Sequence, residues 1–391
     1  MELKRFAFSL VEKYLFREEI LLFIGPRQVG KTVLLHQLEN SLKLQEYPCY
    51  FLNLEDPDYL SLLNKSPKNI FQIFPLNLQK NNFLFIDEVQ YLENPSNFLK
   101  YFFDEYKGRI KIIASGSSAF YLDKKFKDSL SGRKKIFTLY TLSFREFLTF
   151  KNEAALASSD FNKLTLSEKE KINPLYLEYI TFGGYPKVVL SPLNEKIEIL
   201  RDLAYSYIKK DIFDAHIRRE EYFYKLLKIL GSQIGNLVNS FELSKTLNIS
   251  KTSVDNYLYI MQKSFHICLI RPFFKNVRKE LTKMPKVFFI DLGLRNFFKN
   301  DFRPLLERDD KGQLLENAVF RQLLDKRDIS DIKFWRTIDD KEVDFVLEDN
   351  NLAYEVKSQT ERIKYQKYQL FKEKYPDINL KFISLEEAWK L

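Results

Sequence analysis

Short apolar runs alternate with longer mixed segments along the first third of the chain. Ile20-Leu21-Leu22-Phe23-Ile24, Tyr50-Phe51-Leu52-Asn53-Leu54, Phe83-Leu84-Phe85-Ile86 and Ile110-Lys111-Ile112-Ile113-Ala114 each have strand length, and the intervals between them have room for crossover helices. Nearly continuous apolar strands of this kind mark a parallel sheet covered on both faces. Upstream, Phe6, Leu10, Val11 and Leu15 recur at helical spacing and predict a helix within residues 5–18. The charged, Ala/Ser-containing segment 151–171 breaks the pattern and predicts a boundary or insertion. From Leu175 to about Tyr224 the spacing is helical, interrupted at Gly183-Gly184-Tyr185-Pro186. ELSKTLNISKTSVDNYLYIMQ, residues 242–262, reads as two helices around a turn at Asn248-Ile249-Ser250, and residues 276–391 alternate helix and strand patterns to Leu380-Lys381-Phe382-Ile383. The predicted division is 1–150 for the sheet domain, 151–222 for a helical lid, 223–275 for a helix-turn-helix unit and 276–391 for a second α/β domain.

Composition supports a globular chain: of 391 residues, 45% are hydrophobic and 29% charged, and 36 Phe with 22 Tyr supply packing bulk. A net charge of +9 favours an acidic partner, nucleic acid first, although an excess of solvated Lys reads the same way. Cys49 and Cys268 are too few and too distant for a disulfide framework or thiolate zinc site, and His36, His216 and His266 form no spaced cluster with them. The amino terminus does not resemble a secretion signal and no apolar run approaches membrane-spanning length, so the expectation is a soluble, cytoplasmic protein with no membrane partner.

Candidate chemistry begins at Gly25-Pro26-Arg27-Gln28-Val29-Gly30-Lys31-Thr32, which fits GxxxxGK[ST] between an apolar strand and a helical pattern opening at Val33. A loop wrapped around a phosphate turns its N–H groups inward, and glycine permits those backbone angles. Lys31 is expected to reach the β and γ phosphates of ATP and Thr32 to bind Mg²⁺. Phe83-Leu84-Phe85-Ile86 ends in Asp87 and Glu88, expected on the metal side and as water activator. The next strand brings Ser115-Gly116-Ser117-Ser118 to the same edge, with Ser117 expected to sense the γ phosphate. Arg133 is expected to neutralise transition-state charge, in cis or from a neighbouring copy in a homo-oligomer; a surface Arg beside Lys134 and Lys135 is the alternative.

With GPRQVGKT, FIDEVQ, ASGSS, LSGR followed by LYTLSFREF, and GGYP in this order, the chain from about Leu22 to Pro186 resembles the prokaryotic AAA+-like ATPases. In that family an amino-terminal ATPase domain is joined to a carboxy-terminal domain of uncharacterised function. The resemblance implies a P-loop NTPase sheet with a helical lid, ATP binding with hydrolysis, and Gly184 and Pro186 on the adenine side.

In the helix-turn-helix pattern, winged-helix-like in type, Ser250, Lys251, Thr252 and Asn256 open the second helix and suit phosphate or groove contacts, while Tyr257 and Tyr259 equally suit docking to protein. Further on, Glu342–Leu347 and Leu352–Lys357 flank the turn-forming Glu348-Asp349-Asn350-Asn351. A two-residue loop at Asp349-Asn350 would set Asp344 opposite Glu355, with Lys357 on the same face. Facing carboxylates repel unless a cation or proton intervenes, which points to a divalent metal between them. The hairpin is similar to the PD-(D/E)xK nuclease core, restriction-endonuclease-like in fold. That likeness implies Mg²⁺ on Asp344, Glu355 and the helical Glu316, with Lys357 at the hydrolytic water. Val343 stands where the signature has proline, and a charged strand face neutralised by Lys357 is the plain alternative.

These features predict a Mg²⁺-ATPase whose nucleotide state gates a nucleic-acid-binding module, a nuclease if its acids hold metal. The alternative is a nucleotide-dependent switch that binds a protein partner, its nuclease-like domain inert.

Overall fold

The computed structural model describes residues 3–116, 130–274, 280, 283–358 and 365–391. The chain divides into two compact units, Met1–Tyr140 with Lys263–Phe265, and Thr141–Gln262 with His266–Leu391. The first division thus falls at Tyr140, before the segment 151–171, and the helical, helix-turn-helix and second α/β segments share one unit.

The first unit is built on five parallel strands, β1 (Ile20–Ile24), β2 (Cys49–Asn53), β3 (Asn82–Asp87), β4 (Ile110–Gly116) and β5 (Lys134–Thr138), in the order β2-β3-β4-β1-β5. This is the sheet of a P-loop NTPase. Leu22, Leu84, Ile86 and Ile112 pack on one face against Phe98 and Phe102 of the helix Pro95–Tyr106. Removing such side chains from water stabilises the sheet by about 1.5–3 kcal/mol each. Because the chain leaves β1 for the far edge at β2 and later returns to β1's other flank at β5, the carboxyl end of β1 lies at a reversal of strand order. Ligands bind at such a crevice in open α/β sheets. β5 lacks the apolar signature of its neighbours, since Phe137 is its one buried residue.

In the second unit the helices Phe144–Phe150, Leu166–Phe182, Lys196–Asp214 and Glu220–Ser232 precede the helix-turn-helix pair Ser240–Leu247 and Lys251–Lys263. The pair is followed by an antiparallel ribbon, β6 (Ile267–Ile270) and β7 (Lys286–Phe289). After the helix Lys311–Leu324 comes a four-stranded sheet, β8 (Ile332–Arg336), β9 (Glu342–Leu347), β10 (Leu352–Val356) and β11 (Asn379–Ile383), in the order β11-β10-β9-β8. Trp335, Val346, Ala353 and Phe371 are among its core residues. No helix among the described residues is long and apolar enough to cross a membrane.

Candidate nucleotide site and the carboxy-terminal acid cluster

β1 delivers the loop Gly25–Gly30 to the start of the helix Lys31–Lys43. The loop turns through left-handed or otherwise glycine-favouring angles at Gly25 (φ 152°), Gln28 (φ 55°) and Gly30 (φ 93°). A Cβ on Gly25 would lie 2.0 Å from the Leu139 carbonyl oxygen, so that position admits no side chain. Pro26 and Val29 are buried, whereas Gln28, Thr32 and Val33 face outward. Sequence reasoning missed the loop's brace: the buried Arg5 donates to the Val29 carbonyl at 2.6 Å and to the Tyr140 carbonyl at 2.9 Å. A single Arg far from any motif leaves no sequence signal.

The buried Lys31 ammonium curls back over the loop, 3.0 Å from the Gly25 oxygen and 2.7 Å from the Pro26 oxygen. Thr32 Oγ1 donates to Asp87 Oδ2 at 2.7 Å, joining the first turn of the helix to the end of β3. The other carboxylate oxygen of Asp87 accepts from Ser115 Oγ on β4, and the same oxygen of Ser115 accepts the Glu88 N–H at 3.1 Å. Ser115 is fully buried. It therefore fixes the Asp87 carboxylate and the adjoining Glu88 backbone together. Ser117, the serine predicted for this edge, lies outside the described residues. Glu88 holds a left-handed backbone (φ 58°, ψ 49°), unusual for a non-glycine residue, and its side chain accepts from Gln90 Nε2. Such angles occur where the surroundings over-determine them, commonly at functional sites.

Hydroxyl, carboxylate and ammonium thus converge at the carboxyl edge of β1 and β3, beside a helix amino terminus with inward-turning loop angles. This donor set fits a magnesium-bound nucleoside triphosphate: oxygen ligands for a hard cation, and N–H groups with an ammonium for phosphate.

Arg133 stands elsewhere. Its carbonyl accepts from the N–H of Ile20, which opens β1, so it sits at the amino edge of the sheet, about 15 Å along the strand from the loop. Its guanidinium bonds Asp104 at 2.9 Å. That placement corrects the in-cis role: within one chain Arg133 is at the wrong end of β1.

In the second unit, Gly184 N donates to Asp291 Oδ2 at 2.9 Å, and a Cβ on Gly183 would lie 2.3 Å from Asp291 Oδ1. Both glycines therefore serve close packing, and Pro186 opens the short helix Pro186–Leu190. Nothing in this geometry carries the adenine-side role expected of Gly184 and Pro186. In the helix-turn-helix pair, Ser250 Oγ accepts the Ser253 N–H at 3.0 Å, so Ser250 caps the second helix. Lys251, Thr252 and Asn256 are exposed, as is Tyr259, but Tyr257 is buried against Phe223. Tyr257 is thus a core residue rather than a docking one.

The hairpin keeps the predicted register by a different turn. Leu352 pairs with Leu347, Ala353 with Val346 and Tyr354 with Phe345, the frame that sets Glu355 opposite Asp344, but the connection is a four-residue 3₁₀ loop with Asn351 left-handed. Asp344 Oδ2 accepts the Val356 N–H at 2.8 Å. Glu355 Oε1 accepts from Tyr368 Oη at 2.7 Å and Lys357 Nζ at 2.5 Å, while its Oε2 is buried without a partner. Burial and the neighbouring Glu316 and Glu355 push the Asp344 carboxyl well above the usual range, and burial raises Glu316 too.

The cation among these acids is one that no motif announced. Lys286 of β7, wholly buried, lies 3.1 Å from Glu316 Oε1 and 4.0 Å from Asp344 Oδ1, and also bonds Glu342 Oε1. Burial opposes its charge, but Glu316, Asp344 and Glu342 outweigh burial and raise its pKa. Among the described residues no three of His, Cys, Asp and Glu are arranged to hold a metal ion. The expectation of a metal on Glu316, Asp344 and Glu355 is corrected accordingly: Glu316 and Asp344 lie around the Lys286 ammonium, and Glu355 is held by Lys357 and Tyr368.

Comparison with known proteins matches three stretches of the chain. Residues 17–148 match the model of an AAA domain, and residues 173–304 and 311–387 match two domains of unknown function. The chain is 27% identical to an uncharacterized protein of Methanocaldococcus jannaschii, over 96% of this chain and 84% of that one. It is 28% identical to an uncharacterized protein of Haemophilus influenzae, over 82% and 78%. Among solved structures, AMPPCP-bound DnaA from Aquifex aeolicus aligns over 67% of this chain and 88% of that chain, with 17% identity and a TM-score of 0.35. A superposition that loose says nothing about function. The strand order and the match to an AAA-domain model fit a P-loop NTPase fold for the first unit.

Proposed function

We propose that the chain is a Mg²⁺-dependent ATPase whose nucleotide state controls what the second unit binds. The observation that carries the reading is the Thr32–Asp87 bond of 2.7 Å beside the Lys31 ammonium, in a loop with positive φ at Gly25, Gln28 and Gly30. A bound Mg²⁺, held on the side of Thr32 and Asp87, would supply charge stabilisation to the phosphates. Lys31 would leave the Gly25 and Pro26 carbonyls for the β and γ phosphates. Thr32 and Asp87 would hold the metal side, Ser115 would keep Asp87 oriented, and Glu88 would orient the attacking water.

For the second unit we favour nucleic acid, DNA first, at the exposed Lys251, Thr252 and Asn256 of a winged-helix-like element, in keeping with the net charge of +9. The second reading is a nucleotide-dependent switch that binds a protein partner through the same face, where Tyr259 is also exposed. The lysine-filled acid cluster favours a nuclease-like domain without metal-dependent cleavage under either reading.

Calorimetric titration of ATP with Mg²⁺ into wild type and Lys31→Ala tests the site: tight binding is expected in the first and none in the second, and equal binding overturns the assignment. Fluorescence anisotropy of labelled duplex DNA at two salt concentrations, with and without ATP, separates the partners. A salt-sensitive affinity that Lys251→Ala weakens supports DNA.

A further inference from the structure

Four carboxylates from three elements meet in the second unit: Glu316 from the helix Lys311–Leu324, Glu342 and Asp344 from β9, and Glu355 from β10. Such a group cannot stay together as bare anions, because each charge taken from water must be met by a cation or a proton. In a metal-dependent site that need is met by a divalent ion. Here an element outside the sheet reaches in: Lys286, the first residue of β7, sends its ammonium between Glu316, Glu342 and Asp344 with no exposure to solvent. An ammonium has three donors and no acceptor, and three carboxylates face it.

The remaining contacts are those of a filled cluster. Arg336 neutralises the outer oxygen of Glu342 at 3.0 Å, Lys357 and Tyr368 hold Glu355 Oε1, and Val356 N–H holds Asp344 Oδ2. Lys286 meets Glu316, Glu342 and Asp344 but not Glu355, whose Oε2 is buried without a partner.

We propose that Lys286 is the resident cation of this pocket: its ammonium occupies the space a divalent ion would need, so the unit keeps a nuclease-like acid constellation without taking up metal, and replacing Lys286 with an uncharged residue makes the pocket a divalent-cation site. The same contacts tie β7, and with it the ribbon beside the helix-turn-helix pair, to β9 and the Lys311–Leu324 helix. Lys286 is therefore a joint within the second unit. This holds whatever the first unit binds.

The test uses the full-length, nucleotide-free chain and Mn²⁺, followed by electron paramagnetic resonance and thermal melting. For wild type, any Mn²⁺ taken up should be unaffected by Asp344→Asn, and the melting of the second unit should not respond to millimolar Mn²⁺. Lys286→Met should melt lower and be restored by Mn²⁺, with one additional ion bound per chain. Should that variant fail to fold in buffer alone, refolding with and without Mn²⁺ reads the same dependence. The proposal is overturned if wild type binds an ion that Asp344→Asn abolishes, or if Lys286→Met folds and binds no additional Mn²⁺.

Discussion

Both units place a lysine beside carboxylates, and the two placements have opposite consequences. In the first, Lys31 bonds the Gly25 and Pro26 carbonyls of its own loop, and Asp87 accepts from the neutral hydroxyls of Thr32 and Ser115. In the second, Lys286 sits among Glu316, Glu342 and Asp344 and supplies them with positive charge. Hydroxyls orient a carboxylate without neutralising it, whereas an ammonium supplies the charge a metal would have brought. On the proposed reading, the residue that contacts the acid, more than the acid itself, separates the two sites.

The sharpest break in this contrast comes from Lys286→Met, which strands buried carboxylates and should destabilise the second unit by roughly 3–5 kcal/mol in urea denaturation. Its pH dependence has a definite sign. A raised folded-state carboxyl pKa gives stability that is full below the unfolded pKa and lost as pH rises through the folded one. Asp344 and Glu316 are already raised and rise further without the lysine, so the deficit of the variant should shrink as pH falls from 7 toward 4. For Lys286 itself the raised pKa keeps its stabilisation intact up to the ordinary lysine range, to be lost only as pH climbs through the raised value.

A milder effect is expected on the other side. Ser115→Ala removes two hydrogen bonds, to Asp87 and from the Glu88 N–H, and should slow ATP turnover about tenfold while leaving nucleotide affinity within a few-fold, because it frees the orientation of a metal ligand without removing one. Smallest is Arg133→Ala: its bond to Asp104 is partly exposed, so the loss should stay within about 1 kcal/mol, and turnover of dilute, monomeric protein should not change. A large loss of turnover in concentrated protein alone would place Arg133 at a neighbouring copy's site.

What could be read from the sequence follows the same physics. β1, β3 and β4 announce themselves because strands covered on both faces must be apolar throughout, whereas the exposed edge strand β5 hides behind Lys134 and Lys135. The phosphate loop is legible because its chemistry is local, compressed into eight consecutive residues. Asp344 opposite Glu355 is legible because antiparallel pairing has period two, and a four-residue loop preserves the frame of a two-residue one. Arg5, Ser115, Asp291 and Lys286 are not legible. Each acts across the fold on residues 24 or more positions away, and no spacing rule connects Lys286 to Glu342. The motif's acids and lysine stand in the expected order, and Lys286, which contacts Glu316, Glu342 and Asp344, comes from outside it.

The most direct test of the whole account is a count of Mn²⁺ ions bound tightly per chain in the presence of ATP, in wild type, Lys31→Ala and Asp344→Asn. One ion is predicted in wild type, absent from Lys31→Ala and unchanged in Asp344→Asn. A second tight ion, or one lost with Asp344 but kept without Lys31, would contradict it.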